Sequence, residues 1–426
     1  MSFTGPGPRL RIAIVGAGVS GLVTAHLLDP RHDVTVFEAA EYAGGHANTV
    51  RVDTAHETHQ VDTGFIVFND RNYPNFERLL RRLGVASQPS SMTFSVSDGR
   101  GDFEYNGSSP NGLFAKRAHL VTPWFHRMVA DMARFNRAAR ELARQGGGRD
   151  EGPSLGEWLE AHDFSRPFID RLIVPQASAV WSADPRQMWA FPARFLAEFF
   201  DNHGMLSLRG RPRWRTITGG SARYVEALLA AFRGRVRLRT PIESVSRQPG
   251  HVLVTPRGGD GERFDEVVLA THSDQALRLL TDATDREHEL LSAIPYQVNE
   301  AVLHTDVRML PHRRRAWASW NYHLRDRPDE RTTVTYHMNR LQSLIAEREF
   351  CVTLNRTDEI DPATVLRTIP YAHPVYSTEG VAAQSRFAEI SARNGTHFCG
   401  AYWGWGFHED GVVSALRVAE RLGARL

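Results

Sequence analysis

The chain has 426 residues, 42% of them hydrophobic, with 51 basic and 49 acidic side chains. This length is too great for one ordinary core and suits two interleaved domains of a globular protein. The net charge of +2 excludes a general attraction to nucleic acid, so no nucleic-acid partner is expected.

Targeting and redox signals in the sequence are sparse. No run approaches the about 18 uninterrupted apolar residues of a membrane-spanning helix. The first residues, MSFTGPGPRLRIAIVG, lack the apolar core of a signal peptide. We therefore expect a cytoplasmic protein. Arginine clusters at 209–215 and 313–315 leave weak contact with the inner face of a membrane open, although solvated surface is the favoured interpretation. Cys351 and Cys399 are too few and too far apart for a disulfide framework or a metal site.

A glycine pattern is the first motif along the chain. Gly16, Gly18 and Gly21 lie in IAIVGAGVSGLVTAHLL, after a strand-like run and before a helix-like one. The three positions correspond to a tight turn, a close approach of a diphosphate, and close contact between helix and strand. Glu38 closes the next strand, DVTVFEA, where its carboxylate can accept a hydrogen bond from a ribose hydroxyl. The pattern predicts dinucleotide binding.

The central part of the chain changes from one periodicity to another. Residues 112–146 and 154–200 are predicted to be largely helical, because apolar residues recur at spacings of three and four. The segments YQVNEAVLHTD, RAWASWNYHL, RTTVTYHMNRL and FCVTLNRT, within 296–358, alternate and predict an antiparallel sheet. Alternation would put Tyr336, Met338 and Arg340 on one face and His337, Asn339 and Leu341 on the other, and which face points inward stays open.

Two segments carry a family resemblance. EAAEYAGGHANTV followed by VDTGFIVFN, and FCGAYWGWGFHEDGVVSALRVAERL near the end, resemble the flavin amine oxidase and phytoene desaturase superfamily. Within it, the chain is similar to bacterial FAD-binding amine-oxidase-like proteins with NHG, YxMNRLQ and GFHEDG motifs, here at 202–204, 336–342 and 406–411. The resemblance covers nearly the whole chain and is strongest at residues 10–70 and 398–420.

The resemblance implies an α/β fold in which a Rossmann-like FAD-binding domain is interleaved with a substrate domain of antiparallel sheet plus helices. The FAD-binding domain would comprise residues 9–90, 210–285 and 390–426, and the substrate domain residues 91–209 and 286–389. A second GxGxxG is absent, so a separate nicotinamide domain is not expected. FAD is expected to bind noncovalently, because no cysteine lies in the family's usual attachment region, and a histidyl link stays open.

The resemblance also implies which residues hold FAD. Gly44 and Gly45 would wrap the diphosphate, with His46 where the family usually has arginine. A helix beginning near Gly411 would direct its N-terminus at the flavin, where negative charge gathers on reduction. The cofactor-binding residues carried over are Gly16, Gly18, Ser20, Gly21, Glu38, Ala39, Gly44, Gly45, His46, Thr63, Gly64, Ile242, Ala270, Thr271, Gly400, His408, Glu409, Asp410, Gly411 and Val412. No metal is expected, since the histidines lack the short spacing of zinc ligands.

Five residues are candidates for catalysis: His408, His203, Tyr402, Trp405 and Tyr336. The aromatic rings would form an apolar slot against the flavin, with ordinary core packing as the alternative interpretation. His203 lies in a polar turn, where it could act as a general base near neutral pH or cap a helix. His408 is the other candidate base.

The expected function is that of an FAD-dependent oxidoreductase that desaturates a small hydrophobic substrate, fatty-acyl or isoprenoid-like, with hydride passing to flavin N5. Oxygen or a quinone would reoxidise the flavin. The alternatives are an amine oxidase that releases hydrogen peroxide, a redox-neutral isomerase of unsaturated fatty acids, and a non-catalytic FAD-bound scaffold. Several amine oxidases of the superfamily hold a water against N5 with a lysine, and Lys116 is the only lysine here. The oligomeric state stays open.

Overall fold

The computed structural model describes residues 8–54, 56–145, 147–149, 151–207, 210–325 and 331–426. Arg209, in the first of the two arginine clusters, lies outside these residues. The strands of the described residues are β1 (Arg11–Val15), β2 (Asp33–Phe37), β3 (Thr49–Asp53), β4 (Thr58–Asp62), β5 (Phe68–Asn69), β6 (Ser87–Pro89), β7 (Phe94–Ser97), β8 (Glu104–Asn106), β9 (Trp214–Ile217), β10 (Arg235–Arg237), β11 (Ile242–Gln248), β12 (His251–Pro256), β13 (Glu262–Phe264), β14 (Glu266–Leu269), β15 (Tyr296–His304), β16 (Trp320–His323), β17 (Val334–His337), β18 (Cys351–Leu354), β19 (Val365–Pro374) and β20 (Thr396–Phe398).

The helices follow the same chain order. They are α1 (Val19–Leu28), α2 (Pro74–Leu83), α3 (Pro110–Leu113), α4 (Pro123–Arg144), α5 (Leu155–Ala161), α6 (Arg166–Phe168), α7 (Val174–Trp181), α8 (Ala193–Asn202), α9 (Ala222–Ala231), α10 (Ser273–Leu279), α11 (Asp285–Ser292), α12 (Met338–Leu341), α13 (Thr378–Ser385) and α14 (His408–Arg421). A π-helical turn at Ile169–Ile173 joins α6 to α7. Within the described residues, none of the helices is both long enough and apolar enough to cross a membrane.

A five-stranded parallel sheet, in the order β10-β2-β1-β14-β20, carries the glycine pattern. Its central strand β1 has four fully or nearly fully buried residues, Ile12 to Val15, as expected for a parallel strand covered on both faces. Helices α1 and α14 pack against each other beside this sheet. Because the strands are parallel, their carboxyl ends open together at one edge, where α1 begins.

A seven-stranded sheet, in the order β19-β15-β18-β17-β16-β7-β8, forms the second layer. Its strand pairs are antiparallel except for β16 and β7, which run parallel. The four segments predicted to alternate supply β15 to β18. Helices α4, α7 and α8 share a large apolar core with this sheet.

One detail of the predicted alternation is wrong. The strand that contains Tyr336 and His337 ends at His337, and Met338–Leu341 form a helical turn, so residues 338–341 do not share faces with the strand. The amide of Met338 donates to the Phe350 carbonyl at 2.9 Å, and Asn339 accepts from the Phe350 amide at 2.7 Å. These bonds hold the turn against the start of β18.

Each large sheet holds one of the two thiols. Cys351 begins β18 in the seven-stranded sheet, and Cys399 directly follows β20 in the parallel sheet. Both side chains are completely buried. Burial raises the pKa of Cys399 to about 11 and that of Cys351 further, so neither thiol is ionised near neutral pH.

Candidate functional site

The glycine loop between β1 and α1 has the geometry of a dinucleotide cradle. Gly16 has φ +104°, and a Cβ there would lie 2.6 Å from the Ala270 carbonyl oxygen. A Cβ on Gly21 would lie 1.9 Å from the Gly16 oxygen, so helix and turn touch through backbone. A Cβ on Gly18 meets nothing within 4 Å and would project into open space, where a diphosphate can approach the helix N-terminus.

The Glu38 carboxylate lies beside this loop. Its Oε2 accepts the Ala17 amide at 2.7 Å and its Oε1 accepts the Ala40 amide at 2.8 Å. Each oxygen keeps a further acceptor position, which a ribose hydroxyl can use. The neighbouring backbone is tied down as well, since the Thr240 amide donates to the Glu38 carbonyl at 2.8 Å. The segment leading to Ile242 therefore runs along the ribose side of the site.

A second glycine turn closes over the first. Gly44 and Gly45 have φ +130° and +59°, in the region that favours glycine. The Gly44 amide donates to the Ala17 carbonyl at 2.8 Å, and a Cβ on Gly45 would lie 3.2 Å from the Cα of Gly18. The two turns therefore touch each other through backbone, beside the open space at Gly18.

The segment after β4 is fixed from the seven-stranded sheet. Gln342 accepts the Asp62 amide at 2.8 Å and donates to Asp62 Oδ2 at 3.0 Å. Tyr371 of β19 lies 2.9 Å from the Thr63 hydroxyl, oxygen to oxygen. A Cβ on Gly64 would lie 2.3 Å from the His46 carbonyl oxygen, so this turn packs on the second glycine turn.

Sequence reasoning did not assign roles to Asp62, Gln342 and Tyr371. The Asp62 carboxylate is fully buried and also accepts from Thr49 and Ser221, yet burial raises its pKa to about 6. The signal for Gln342 was present, since it ends the YxMNRLQ motif. The role of Gln342 depends on the tertiary fold, because α12 turns the chain toward β4.

The C-terminal helix begins three residues earlier than predicted, at His408 rather than near Gly411. A Cβ on Gly411 would lie 2.8 Å from Val19 Cγ1 and 2.9 Å from Ser20 Oγ, so the first turns of α14 and α1 meet. The carboxylate of Asp410 accepts the Phe407 amide at 2.9 Å, and burial raises its pKa to about 6. Two helix N-termini therefore converge beside the glycine loop, which favours negative charge there.

Two side chains of the GFHEDG motif, those of His408 and Glu409, contact neighbouring elements of the fold. The His408 ring stacks on Phe65 at 3.5 Å between ring centroids, and its Nε2 lies 3.1 Å from the Tyr224 hydroxyl. Glu409 accepts the Asn75 and Phe76 amides at 3.1 and 2.9 Å, so it caps α2. We therefore do not retain His408 as a base or Glu409 as a cofactor contact, because both groups are used in packing and capping.

The position of His203 allows both predicted roles, that of a helix cap and that of a general base. Its Nδ1 lies 2.9 Å from the Phe199 carbonyl oxygen, and its ring stacks on Phe199 at 3.9 Å. A carbonyl only accepts, so Nδ1 carries the proton and Nε2 keeps a lone pair. Burial lowers the His203 pKa to about 4, so the ring is neutral at pH 7. Gly204 follows with φ +65° and ends α8.

The three aromatic residues predicted for catalysis lie in two parts of the fold, the turn before α14 and strand β17. Trp405 lies in the turn before α14, 6.1 Å from the Phe195 ring, with its indole N–H buried and unpartnered. Tyr402 is buried in the same turn with its hydroxyl also unpartnered. Tyr336 lies in β17, edge-on to Trp320 at 5.0 Å, inside the core of the seven-stranded sheet. The structure brings Tyr402 and Trp405, but not Tyr336, into the turn that leads to α14.

The remaining predicted cofactor residues border the cradle in different ways. Ala270 follows β14 and donates its amide to the Val15 carbonyl at 2.8 Å, next to Gly16, and Thr271 follows it. Gly400 donates its amide to the Ser414 hydroxyl at 3.0 Å. Val412 is fully buried in the first turns of α14, while Ala39 is exposed beside Glu38.

The single lysine and one arginine of each cluster make contacts elsewhere in the fold. Lys116 Nζ donates to the Asp102 carbonyl at 2.6 Å and lies 3.3 Å from its carboxylate, in the turn between β7 and β8. Arg313 pairs with buried Glu104 at 3.0 Å beside the same turn. Arg215 donates to the Ser87 carbonyl at 2.6 Å. No group of three or more potential metal ligands gathers in the part of the chain that the structure describes.

Comparison with known proteins agrees with this geometry. The model of the family described as flavin containing amine oxidoreductase matches residues 19–332. The chain is 28% identical over 326 residues to a carotenoid phi-ring synthase of Streptomyces griseus, covering 70% of this chain and 60% of that protein. It is 24% identical over 323 residues to a flavin-dependent L-tryptophan oxidase of Lentzea aerocolonigenes, covering 67% and 63%. The chain therefore spans about three fifths of the length of these two relatives.

Solved structures share the fold at low identity. A putrescine oxidase variant superposes with a TM-score of 0.71 at 15% identity, covering 97% of this chain and 99% of that one. A fatty acid isomerase from P. acnes superposes with a TM-score of 0.68 at 17% identity, covering 97% and 98%. The predicted α/β fold class and the predicted superfamily are confirmed. The cradle of backbone, the acidic ribose contact and the matched family model agree: the chain belongs to the flavin containing amine oxidoreductase family, with FAD as its cofactor.

Proposed function

We propose that this protein is an FAD-dependent dehydrogenase that introduces a double bond into a hydrophobic, isoprenoid-like or fatty-acyl substrate. Bound FAD would supply the acceptor for the hydride, which carries both electrons away from the substrate carbon. The chain's residues bind the substrate, exclude water and accept the remaining proton. A carotenoid phi-ring synthase and zeta-carotene desaturases among the relatives support this substrate class.

The observation that carries the proposal is the wall of aromatic rings at the start of α14. Phe407 directly precedes the helix and stacks on Phe199 of α8 at 5.1 Å. Trp405 lies 6.2 Å from the Phe199 ring, and Phe195 lies 5.3 Å from Tyr376. Phe407 and Trp405 keep partial exposure. The Arg149 guanidinium lies over the Trp405 ring at 4.2 Å, so Phe407 supplies the apolar surface of this wall. Such a surface suits a long apolar substrate.

The position of the lysine supports the same choice. A water held against the flavin by lysine needs a free ammonium near α14, and Lys116 is bound to Asp102 in the β7–β8 turn. The Lys116→Gln variant should therefore keep full activity. A large loss of kcat in that variant, with its melting temperature unchanged, would argue for lysine-assisted amine oxidation instead.

His203 is the group that we propose to accept the substrate proton. Its Nε2 lone pair is left free by the Nδ1 bond to the Phe199 carbonyl, and its ring lies 6.1 Å from that of Phe407. A neutral imidazole with this tautomer can take a proton while the hydride leaves the adjacent carbon. The His203→Gln variant should lower kcat while the bound flavin is retained.

The test is anaerobic spectroscopy of the FAD-loaded protein. The protein is mixed separately with an isoprenoid polyene in detergent micelles, an unsaturated fatty acid, simple amines and L-amino acids, and the oxidised-flavin band is followed. Bleaching by the polyene or the fatty acid, weakened in Phe407→Ser and unchanged in the matched control Ile345→Ser, is the expected result. Ile345 is suitable because it is 93% exposed.

A second candidate function has an observation of its own. Two relatives are named as amino-acid oxidases, the L-tryptophan oxidase and an L-amino-acid oxidase of Mus musculus that is 25% identical over 321 residues. Bleaching by amines or amino acids alone, with hydrogen peroxide released in air, would replace the dehydrogenase proposal with this one. Rearranged double bonds without bleaching would indicate the redox-neutral isomerase.

A further inference from the structure

Three histidines from separate parts of the chain meet beside the glycine loop. His46 follows the second glycine turn, His272 follows β14, and His373 lies in β19. The His46 ring centroid lies 5.3 Å from that of His373 and 6.5 Å from that of His272. We call these three residues the imidazole cluster. All three keep partial exposure, so they line the opening rather than a closed core.

The position of the cluster is set by the cradle. His46 directly follows Gly45, whose backbone approaches Gly18. His272 lies two residues after Ala270, whose carbonyl oxygen limits the space at Gly16. The cluster therefore borders the backbone that receives the diphosphate, at a place where the sequence has histidine instead of the family's arginine.

The tautomer of His373 can be derived from a chain of amides anchored on backbone. The Glu300 amide donates to Asn355 Oδ1 at 2.9 Å, which fixes the orientation of that side chain. Asn355 Nδ2 then donates to Asn299 Oδ1 at 2.8 Å, and Asn299 Nδ2 lies 3.1 Å from His373 Nδ1. An amide nitrogen only donates, so Nδ1 accepts and the proton of neutral His373 is on Nε2.

His46 has a complementary property. Its ring stacks on Tyr371 at 4.8 Å, and its Nε2 is buried without a hydrogen-bond partner. A buried polar atom of this kind is costly unless a ligand satisfies it. His46 thus has an unused nitrogen, and His373 has an N–H donor fixed by Asn299.

We propose that the imidazole cluster binds the diphosphate of FAD through neutral N–H donors, and that protonation of the cluster tightens this binding as the pH falls. The proposal concerns the cofactor and does not depend on the substrate proposed above. Asn299 acts as a positioning residue, because it holds His373 in the donating tautomer.

The charged and titratable groups around the cluster are compatible with tighter FAD binding at lower pH. Burial is the main cause that lowers the pKa of each of the three histidines, to about 4 for His373. Neighbouring phosphate oxygens would favour the protonated ring, so FAD binding takes up protons in the range above these values. The groups that face the cluster are Tyr371 in β19, Asp274 and Arg278 in α10, Tyr296 in β15 and His408 in α14.

The experiment measures the Kd of FAD for the apoprotein by fluorescence quenching between about pH 5.5 and pH 8. The wild-type affinity should rise as the pH falls, by at most about tenfold per pH unit for each proton taken up. His46→Gln and His373→Gln should weaken FAD binding by at least about tenfold at pH 6, and their pH dependence should flatten. His46→Arg should restore the affinity without restoring the pH dependence of that position.

Controls separate this role from simple damage to the fold. His26→Gln removes a partly buried histidine with an unpartnered Nε2 near the far end of α1, and it should change neither affinity nor pH dependence. Asn299→Asp should shift the pH profile of FAD binding to higher pH, because a carboxylate accepts from Nδ1–H of His373 and stabilises its charged ring. A purely structural role of Asn299 would lower the melting temperature and leave the pH profile in place.

Two ligand fragments locate the effect on the cofactor. ADP carries the diphosphate without the flavin ring, and riboflavin carries the ring without phosphate. The loss in His46→Gln and His373→Gln should appear with ADP and be absent with riboflavin. Equal binding of FAD and ADP by wild type and both variants at every pH would overturn the proposal, as would a loss confined to riboflavin.

Discussion

Gly18 and Gly21 provide a matched pair of substitutions that separate cofactor binding from folding. Both become alanine, so the added group is the same methyl. At Gly21 the new Cβ would lie 1.9 Å from the Gly16 oxygen, against a practical lower limit of 3.0 Å. Helix α1 and the glycine turn would have to separate by about 1 Å. Strain of this kind costs at least about 1–3 kcal/mol in a packed region.

The Gly18→Ala substitution should behave differently. Its Cβ meets no protein atom within 4 Å, and φ of −73° is permitted for alanine. The free energy of unfolding of the apoprotein should therefore stay within about 0.5 kcal/mol of wild type. The methyl occupies space that the diphosphate needs, so FAD affinity should fall by at least about tenfold, or about 1.4 kcal/mol.

The assay pairs circular-dichroism melting of the apoproteins with FAD titration. Gly21→Ala should melt several degrees lower than wild type, and Gly18→Ala should melt with wild type but bind FAD weakly. Wild-type FAD affinity in Gly18→Ala would refute the assignment of the open space to the diphosphate. Unchanged melting of Gly21→Ala would refute the rigid backbone contact between α1 and the turn.

Three further substitutions test the packing around the site. Gln342→Leu leaves the buried Asp62 amide and one carboxylate oxygen unpaired, so unfolding should become easier by about 1–3 kcal/mol in urea titration. Ile345→Ser, at a 93% exposed position, is the silent control. Glu409→Ala removes the cap of α2 and should cost about 0.5–2 kcal/mol in the same assay, and an unchanged midpoint would contradict that role. The pKa of His408 is about 3 in the fold against about 6.5 in the unfolded chain, so the unfolded chain binds more protons in that range and stability falls as the pH drops. His408→Phe should therefore lose less stability between about pH 6.5 and pH 4 while keeping activity, whereas parallel pH profiles for the two proteins would count against this account.

The glycine pattern could be predicted because its chemistry is local. The turn, the helix start and the acidic end of β2 lie within about thirty residues, and each glycine meets a backbone constraint that the spacing reveals. The antiparallel strands within 296–358 also follow from local periodicity, whereas the Rossmann-like domain was implied by the family resemblance. The GFHEDG motif shows the limit of this reasoning. Its place near the start of the C-terminal helix was predicted, but the direction of each side chain depends on distant partners, such as Tyr224 for His408 and α2 for Glu409.

Side-chain contacts between segments far apart in the chain were not predictable for the same reason. Gln342 and Asp62 are 280 residues apart in the chain, and Asn299 and His373 are 74 apart. Nothing in either local sequence indicates the partner. The end of β17 at His337 was not predicted, because apolar and polar residues continue to alternate in the sequence after the last strand residue. A tertiary contact with Phe350 bends the backbone there.

The two buried thiols can be used to measure local opening of the protein. Cys351 lies in the seven-stranded sheet and Cys399 beside the parallel sheet, and both are inaccessible in the folded chain. Alkylation of either thiol therefore requires that its sheet opens. Mass spectrometry of the two peptides after timed alkylation would give separate opening rates for the parallel sheet and the seven-stranded sheet. Added FAD should slow the labelling of Cys399 more than that of Cys351. The ratio of the two labelling rates then measures how strongly opening of one sheet is coupled to opening of the other.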